Sequence, residues 1–206
     1  DQFGPMAALV FERWGVRPAL ERSNGMFAFA VWDRQERRLT LARDRLGEKP
    51  LYVGWVGGRL VFASEIKALR TLPDWRHEVD RQALPMLLRF GYIPAPLSIH
   101  PNIFKLPAAS FIRFTADDAA SPLDLTQFVA RCECYWSLAE VAEAGVAKPF
   151  LGDAQEAMDG MQSLLTAAVH RRMEADVPIG AMLSGGIDSS LVAALMQAAS
   201  PRPVRT

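Results

Sequence analysis

The sequence VPIGAMLSGGIDSS, residues 177–190, decides the fold class of the second part of the chain. Its first seven residues form a short apolar run, which predicts a strand. Residues 188–199 have the pattern of a helix, and residues 153–174 predict another helix upstream, with Asp153 as its cap. A helix, a strand, a loop and a second helix in this order are how an α/β domain with a parallel sheet begins.

The loop between the predicted strand and helix has the residue types of a phosphate site. Adjacent glycines let the backbone fold so that successive N–H groups converge, with no Cβ atoms in the way. Serine hydroxyls are further donors, and the N-terminus of the following helix favours an anion. We therefore expect one segment to bind phosphate groups: Leu183, Ser184, Gly185, Gly186, Ile187, Asp188, Ser189 and Ser190.

Asp188 is the exceptional member of this segment, because a carboxylate beside bound phosphates is repelled unless a divalent cation lies between them. We interpret it as a Mg²⁺ ligand. The alternative is an ordinary Gly-Gly turn, with Asp188 or Ser184 as the N-cap of the helix and the serines in solvent. A Walker-type loop is excluded, since no Gly-Lys-Ser or Gly-Lys-Thr sequence follows the glycines.

The first part of the chain predicts an antiparallel meander. Residues 26–32 are a dense apolar run that suits a buried strand, and the polar residues 33–38 imply a hairpin. Further strands are predicted at 39–43, 51–56 and 59–64, with Gly57 and Gly58 as the turn between the last two.

Helices are predicted at 6–14, 65–70 and 81–90, the last opened by Asp80. Residues 94–107 are rich in proline and predict no regular structure. Clear periodicity is lost between residues 115 and 152, where we place a connector that separates two domains. Cys132 and Cys134 lie there, too close for an unstrained disulfide and without the further ligands of a zinc site, so we interpret them as incidental thiols.

Charge and hydropathy narrow the class of protein. Basic and acidic residues number 23 each, so no net charge attracts nucleic acid or an anionic membrane. No run approaches the roughly 18 apolar residues that span a bilayer, and the first residues lack a basic start followed by an apolar run. We expect a soluble, cytoplasmic protein that binds neither nucleic acid nor membrane, and one whose chain is cut at both ends.

The segment 184–190 resembles the pyrophosphate loop of the ATP-pyrophosphatase enzymes, and the preceding residues 175–183, ADVPIGAML, narrow the resemblance to the asparagine synthetase family. The first part of the chain resembles the later part of the glutaminase domain of that family. The resemblance lies in NGMFAFA at 24–30, ARDRLGEKPLY at 42–52, FASEIKAL at 62–69, GYIPAP at 91–96 and KLP at 105–107, and it leaves out only residues 117–146.

This resemblance implies an incomplete α+β glutaminase domain, an αββα sandwich of the N-terminal-nucleophile type, over residues 1–116. A connector at 117–152 and the start of an α/β parallel-sheet ATP-pyrophosphatase domain, adenine nucleotide alpha hydrolase-like, at 153–206 follow. We interpret Arg43, Asp44 and Lys49 as a surface ion cluster, and Phe27 and Phe29 as core. These first-half residues identify the fold and are not assigned catalysis.

The function implied by the resemblance is glutamine-hydrolysing synthesis of asparagine from aspartate through an acyl-adenylate, within a longer protein. Its substrates would be glutamine, aspartate and ATP, with Mg²⁺ held by Asp188, and formation of a homodimer is compatible with it. Two alternatives stay open. One is a related adenylating amidotransferase or β-lactam synthetase-like enzyme with another acceptor, and the other is a truncated, non-catalytic interaction module.

The family's N-terminal cysteine nucleophile has no counterpart in this chain, so no catalytic residue is assigned and this piece alone is expected to be inactive. Cys132 and Cys134 follow the glutaminase-like blocks, have no free amine and cannot replace it. Asp1 is a poorly spaced counterpart of the family's glutamine-binding aspartate. We interpret Asn24-Gly25 as a turn and not as the family's oxyanion pair.

Overall fold

The computed structural model describes residues 4–206, and the side chains of residues 9–206. The chain divides into two compact units, one ending at Val141 and one covering Ala142–Thr206. Asp1, the counterpart considered for a glutamine-binding residue, lies outside the described residues. Among the described residues, none of the helices has both the length and the hydropathy needed to cross a bilayer.

The first unit combines short helices with antiparallel strands. Its elements are α1 (Gly4–Trp14), α2 (Val16–Arg22), β1 (Ala28–Asp33), β2 (Arg38–Arg43), β3 (Tyr52–Val56), β4 (Arg59–Ala63), α3 (Ile66–Leu69), α4 (Leu84–Phe90), β5 (Ile103–Lys105), β6 (Ser110–Phe114), α5 (Ala116–Ala119), α6 (Leu125–Arg131) and β7 (Glu133–Cys134). The boundary between the two units falls inside α7 (Leu138–Ala147).

The strands form two sheets and not one meander. The first sheet has the order β1-β2-β6-β7 and the second has the order β4-β3-β5, with every neighbour antiparallel. Both predicted hairpins, β1-β2 and β3-β4, are confirmed. The predicted continuation from β2 to β3 is wrong, because β6 occupies the free edge of β2, with Leu41 opposite Ile112. A neighbour some 70 residues away leaves no local pattern in the sequence.

The tight turn between β3 and β4 depends on its two glycines. Gly57 and Gly58 have φ angles of 57° and 73°, which glycine adopts without steric penalty. A Cβ atom on Gly57 would also lie 2.3 Å from a carboxylate oxygen of Asp74. The turn predicted from Gly57-Gly58 is therefore confirmed, and the close approach of Asp74 explains why a side chain is excluded at the first position.

The main hydrophobic core takes side chains from both sheets and from α6. Buried members are Leu41, Leu51, Val53, Trp55, Phe104, Leu106, Ile112, Phe114, Leu123 and Phe128. Two of these, Leu123 and Phe128, lie in the region predicted to be a connector, and Tyr135 belongs to a second buried cluster of the same unit. The bounds 117–152 for the connector stay a prediction, but residues up to Tyr135 contribute to the core of the first unit.

Three local predictions for this unit are wrong. Strand β1 is not buried, since it pairs only with β2 among the described residues and the side chain of Trp32 is 50% exposed. Helix α4 begins at Leu84 and not at residue 81, and its N-cap is Ala83, while the Asp80 carboxylate accepts the Gln82 N–H in a turn before the helix. The proline-rich passage contains β5, which pairs with β3.

The second unit contains two further long helices, α8 (Ala154–Arg172) and α9 (Ile187–Ala199). The predicted cap of α8 is confirmed. The Asp153 carboxylate accepts the Glu156 N–H at 2.9 Å, and the Glu156 carboxylate accepts the Asp153 N–H in the same way. Of the strand predicted at 177–183, the structure shows only one parallel bridge, between Gly180 and Arg205. Within the described chain, Arg205 is the only residue that pairs with this segment.

Candidate functional site

The segment called here the loop 184–190 consists of the turn that follows the Gly180 bridge and of the first residues of α9, and most of it is exposed to solvent. Gly185 has a φ of 84°, in the left-handed region, and nothing lies within 4 Å of the position where its Cβ would be. Gly186 is the N-cap of α9 and provides no side-chain cap, so no side chain caps the N–H groups of the first helical turn. Neither Asp188 nor Ser184 is therefore the N-cap.

The three serines of the loop surround the Gly186 peptide. The hydroxyls of Ser189 and Ser190 donate to the Gly186 carbonyl at 3.1 and 2.8 Å. The Ser184 and Ser189 hydroxyl oxygens are 3.0 Å apart, and Ser184 N–H donates to the Ser189 hydroxyl at 3.3 Å. The structure thus brings together Ser184, Gly186, Ser189 and Ser190 as one turn with several hydroxyl groups at a helix N-terminus.

The remaining predicted residues flank this turn. Asp188 lies in the first turn of α9 and is exposed. Leu183 and Ile187 are 50% and 87% exposed, so they contribute no buried wall to the loop. In the part of the chain that the structure describes, no group of three or more His, Cys, Asp or Glu side chains is placed to hold a metal ion. Whether these residues bind ATP, pyrophosphate or Mg²⁺ stays a prediction.

A second polar site, in the first unit, is centred on Asp44. Its side chain is 1% exposed, and its carboxylate accepts backbone N–H groups from four residues. Three belong to the loop that follows β2: Glu48 at 2.9 Å, Lys49 at 3.0 Å and Leu46 at 3.2 Å. The fourth is Phe27, at 3.2 Å. The carboxylate therefore ties the loop after β2 to the residue before β1.

Arg43 complements this arrangement with donors. Its guanidinium donates to the carbonyls of Leu106 at 2.7 Å, Lys49 at 2.8 Å and Gly47 at 2.5 Å. Burial lowers the pKa of the guanidinium, while the neighbouring Asp44 raises it. The surface ion cluster predicted from these residues is wrong, because Arg43 and Asp44 are both buried and their hydrogen-bond partners are backbone groups.

Tyr135 extends the same network from the other end of the unit. Its hydroxyl donates to the Arg43 carbonyl at 2.9 Å in a buried position. Burial, with a smaller contribution from the Asp44 carboxylate, raises the pKa of Tyr135 to about 12. In the sequence, Tyr135 is an aromatic residue in an aperiodic region. No local pattern predicts its hydrogen bond to a residue 92 positions away.

The two cysteines differ in environment. Cys132 packs against the main core, and burial raises the pKa of its thiol to about 12. Cys134 is exposed, and its Sγ donates to the Trp136 carbonyl at 3.1 Å. Cys132 is thus part of the packing around α6 and not an incidental thiol of a connector.

We expect iodoacetamide at pH 8 to modify Cys134 in the folded chain and to leave Cys132 unmodified, because the thiolate is the reacting form. With a pKa of about 12, roughly one Cys132 thiol in ten thousand is ionised at that pH. Mass spectrometry should show one modification in buffer and two in urea. Two rapid modifications in buffer would contradict the burial of Cys132.

Both parts of the chain are similar to families of known proteins. A family described as glutamine amidotransferase domain matches residues 7–127, and one described as asparagine synthase matches residues 160–206. A putative glutamine-hydrolysing asparagine synthetase 2 of Methanocaldococcus jannaschii is 35% identical over 84% of this chain and 31% of its own length. A putative glutamine-hydrolysing asparagine synthetase of Mycobacterium tuberculosis is 36% identical over 93% of this chain and 28% of its own length. Asparagine synthetase 3 of Bacillus subtilis is 32% identical over 85% and 26%.

The amidotransferase match covers more than half of the chain and defines the class of protein. The chain belongs to the family of glutamine-hydrolysing asparagine synthetases. It spans less than a third of the length of the curated relatives it matches.

Proposed function

We propose that the chain is part of an enzyme that uses ATP to transfer the amide nitrogen of glutamine to the β-carboxyl group of aspartate. In this proposal the first unit belongs to an αββα sandwich of the N-terminal-nucleophile type. Residues 153–206 are the beginning of an ATP-pyrophosphatase domain. The names of the relatives support this substrate pair, and the loop 184–190 is the observation in this chain on which the proposal rests.

The chemistry requires activation, because a carboxylate does not react with ammonia. Attack of the β-carboxylate oxygen on the α-phosphorus of ATP breaks the bond to the β-phosphate and releases pyrophosphate. Ammonia then attacks the acyl carbon of the adenylate, and AMP leaves with the bonding electrons. A site that binds the pyrophosphate group during the first step stabilises the charge that develops on the leaving group.

The residues of the loop fit such a group. The left-handed Gly185 leaves open space beside the turn, and the first turn of α9 has no side-chain cap. The hydroxyls of Ser184, Ser189 and Ser190 lie in the same turn, and they would exchange their present partners in the loop for phosphate oxygens. Asp188 would hold Mg²⁺, which supplies charge neutralisation between its carboxylate and the phosphates.

We expect Asp188→Ala to weaken the binding of pyrophosphate, in the presence of Mg²⁺, at least tenfold. The physical reason is that loss of one carboxylate ligand removes the bridge between the cation and the loop. Isothermal titration calorimetry with low-millimolar pyrophosphate measures the effect directly, and circular dichroism shows whether each variant is folded.

Glu174→Ala is the matched control, because Glu174 is an exposed acid of the same unit outside the loop. It makes the same change in net charge and should leave the affinity unchanged. Equal weakening by both variants would point to a general charge effect and remove Asp188 as a ligand. Absence of binding by the folded unaltered chain would show that the described loop does not bind pyrophosphate by itself.

A further inference from the structure

Tyr135 and Trp136 are the residues by which the chain leaves the core of the first unit. Tyr135 is 6% exposed and lies in a cluster with Leu20, Ala42, Ala109 and Phe111, against which Trp136 also packs. Only Ser137 separates this pair from the beginning of α7. The pair is therefore the last part of this cluster in sequence before the helix in which the first unit ends.

The contacts of the pair converge on one short segment of the chain. The Tyr135 hydroxyl donates to the Arg43 carbonyl at 2.9 Å, and the Arg45 guanidinium lies 5.9 Å from the centre of the Trp136 ring. Between them, Tyr135 N–H donates to the Ala109 carbonyl at 2.9 Å, and Ala109 N–H donates to the Asp44 carbonyl at 2.8 Å. The residues 43, 44 and 45 are thus contacted directly or through one intermediate.

Two of these residues, Arg43 at the end of β2 and Asp44 at the start of the loop 44–49, hold that loop in place. The Asp44 carboxylate and the Arg43 guanidinium together bind five backbone groups of residues 46–49. If the Tyr135 hydroxyl were removed, the Arg43 carbonyl would lose that donor in a buried position. An unsatisfied buried carbonyl favours a shift of its peptide toward water, and the Arg43 and Asp44 side chains would move with it.

We propose that Tyr135 and Trp136 form a latch that links the order of loop 44–49 to the position of the segment leading into α7. Tyr135 acts in this device as a positioning residue: it fixes the Arg43 peptide, and the Arg43 and Asp44 side chains then fix the loop. A displacement of residues 137–141 would break the contacts of Tyr135 and Trp136 with residues 43–45. The loop 44–49, which is distant in sequence, would then become less ordered.

The test is amide hydrogen exchange of the full chain, followed by NMR, in the variant Tyr135→Phe. This change keeps the ring in its cluster and removes only the hydroxyl. We expect the Glu48 and Lys49 amides to exchange about tenfold faster, which corresponds to the loss of one net hydrogen bond. The amides of β3 and β4, which pair in the other sheet, should keep their relative protection.

Tyr92→Phe is the control, since Tyr92 is 61% exposed and should change no protected amide. Unchanged exchange at Glu48 and Lys49 in Tyr135→Phe would overturn the latch. A uniform increase over β2, β3 and β6 would also overturn it, because that pattern reports only a less stable unit. If Tyr135→Phe does not fold, Trp136→Leu removes the ring beneath Arg45 and allows the same comparison.

Discussion

Replacement of Asp44 by asparagine is expected to lower the free energy of unfolding of the first unit by about 3 kcal/mol. The carboxylate is 1% exposed and accepts four backbone N–H groups. Asparagine keeps one acceptor oxygen and turns an NH₂ group toward donors, so about two N–H groups lose their acceptor, at about 1–3 kcal/mol each. Urea unfolding followed by tryptophan fluorescence reports on this unit, because all five tryptophans precede residue 137.

Asp33→Asn is the matched control for this prediction. The Asp33 carboxylate also accepts two backbone N–H groups, from Gln35 at 2.8 Å and Glu36 at 2.9 Å, but in an exposed turn. Water replaces a lost acceptor there, so the change should cost less than about 1 kcal/mol. If both variants lose the same stability, the Asp44 carboxylate does not organise the loop in the way described.

The comparison of Asp44 with Asp33 also shows what the sequence could reveal. Both are acids at the end of an apolar strand, and the turn after Asp33 was predictable because its partners lie two and three residues away. Asp44 also forms hydrogen bonds with Phe27 and Ala109, which the fold brings to it from distant parts of the chain. Sequence pattern gives the residue types of such a network but not their partners.

The two sheets and the helices show the same difference between contacts that are local in sequence and contacts between distant residues. Hairpins β1-β2 and β3-β4 and the cap of α8 are local and were predictable from periodicity, glycine pairs and a capping residue. The pairing of β2 with β6 and the contribution of α6 to the core are decided by contacts between distant residues. The sequence pattern by itself predicts neither of these contacts.

The candidate loop is an intermediate case. The start of α9 and the turn of glycines and serines were predictable, because a helix start and a left-handed glycine are local features. The strand before it was not observed beyond the bridge at Gly180, since a strand exists only where a neighbour supplies hydrogen bonds. The position of Asp188 in the first turn of α9 agrees with the helix predicted from residue 188. Its role as a metal ligand stays a prediction, which the pyrophosphate titration tests.

Phe128 gives the sharpest test of where the first unit ends. The sequence around it has no clear period and predicts a connector, yet its side chain is 0% exposed. It stacks on Phe104 of β5 with ring centres 4.7 Å apart and an interplanar angle of 21°. Helix α6, which carries it, is closed at its start by a capping box between Asp124 and Gln127.

We expect Phe128→Ala to lower the free energy of unfolding of the first unit by about 3–5 kcal/mol, because a large buried ring is replaced by a cavity. Val129→Ala is the control on the next residue of the same helix, where the side chain is 46% exposed and the expected loss is below about 1 kcal/mol. Urea unfolding by tryptophan fluorescence compares the two. A loss in Phe128→Ala no larger than in Val129→Ala would mean that α6 is not part of the core, as expected for the connector predicted at 117–152.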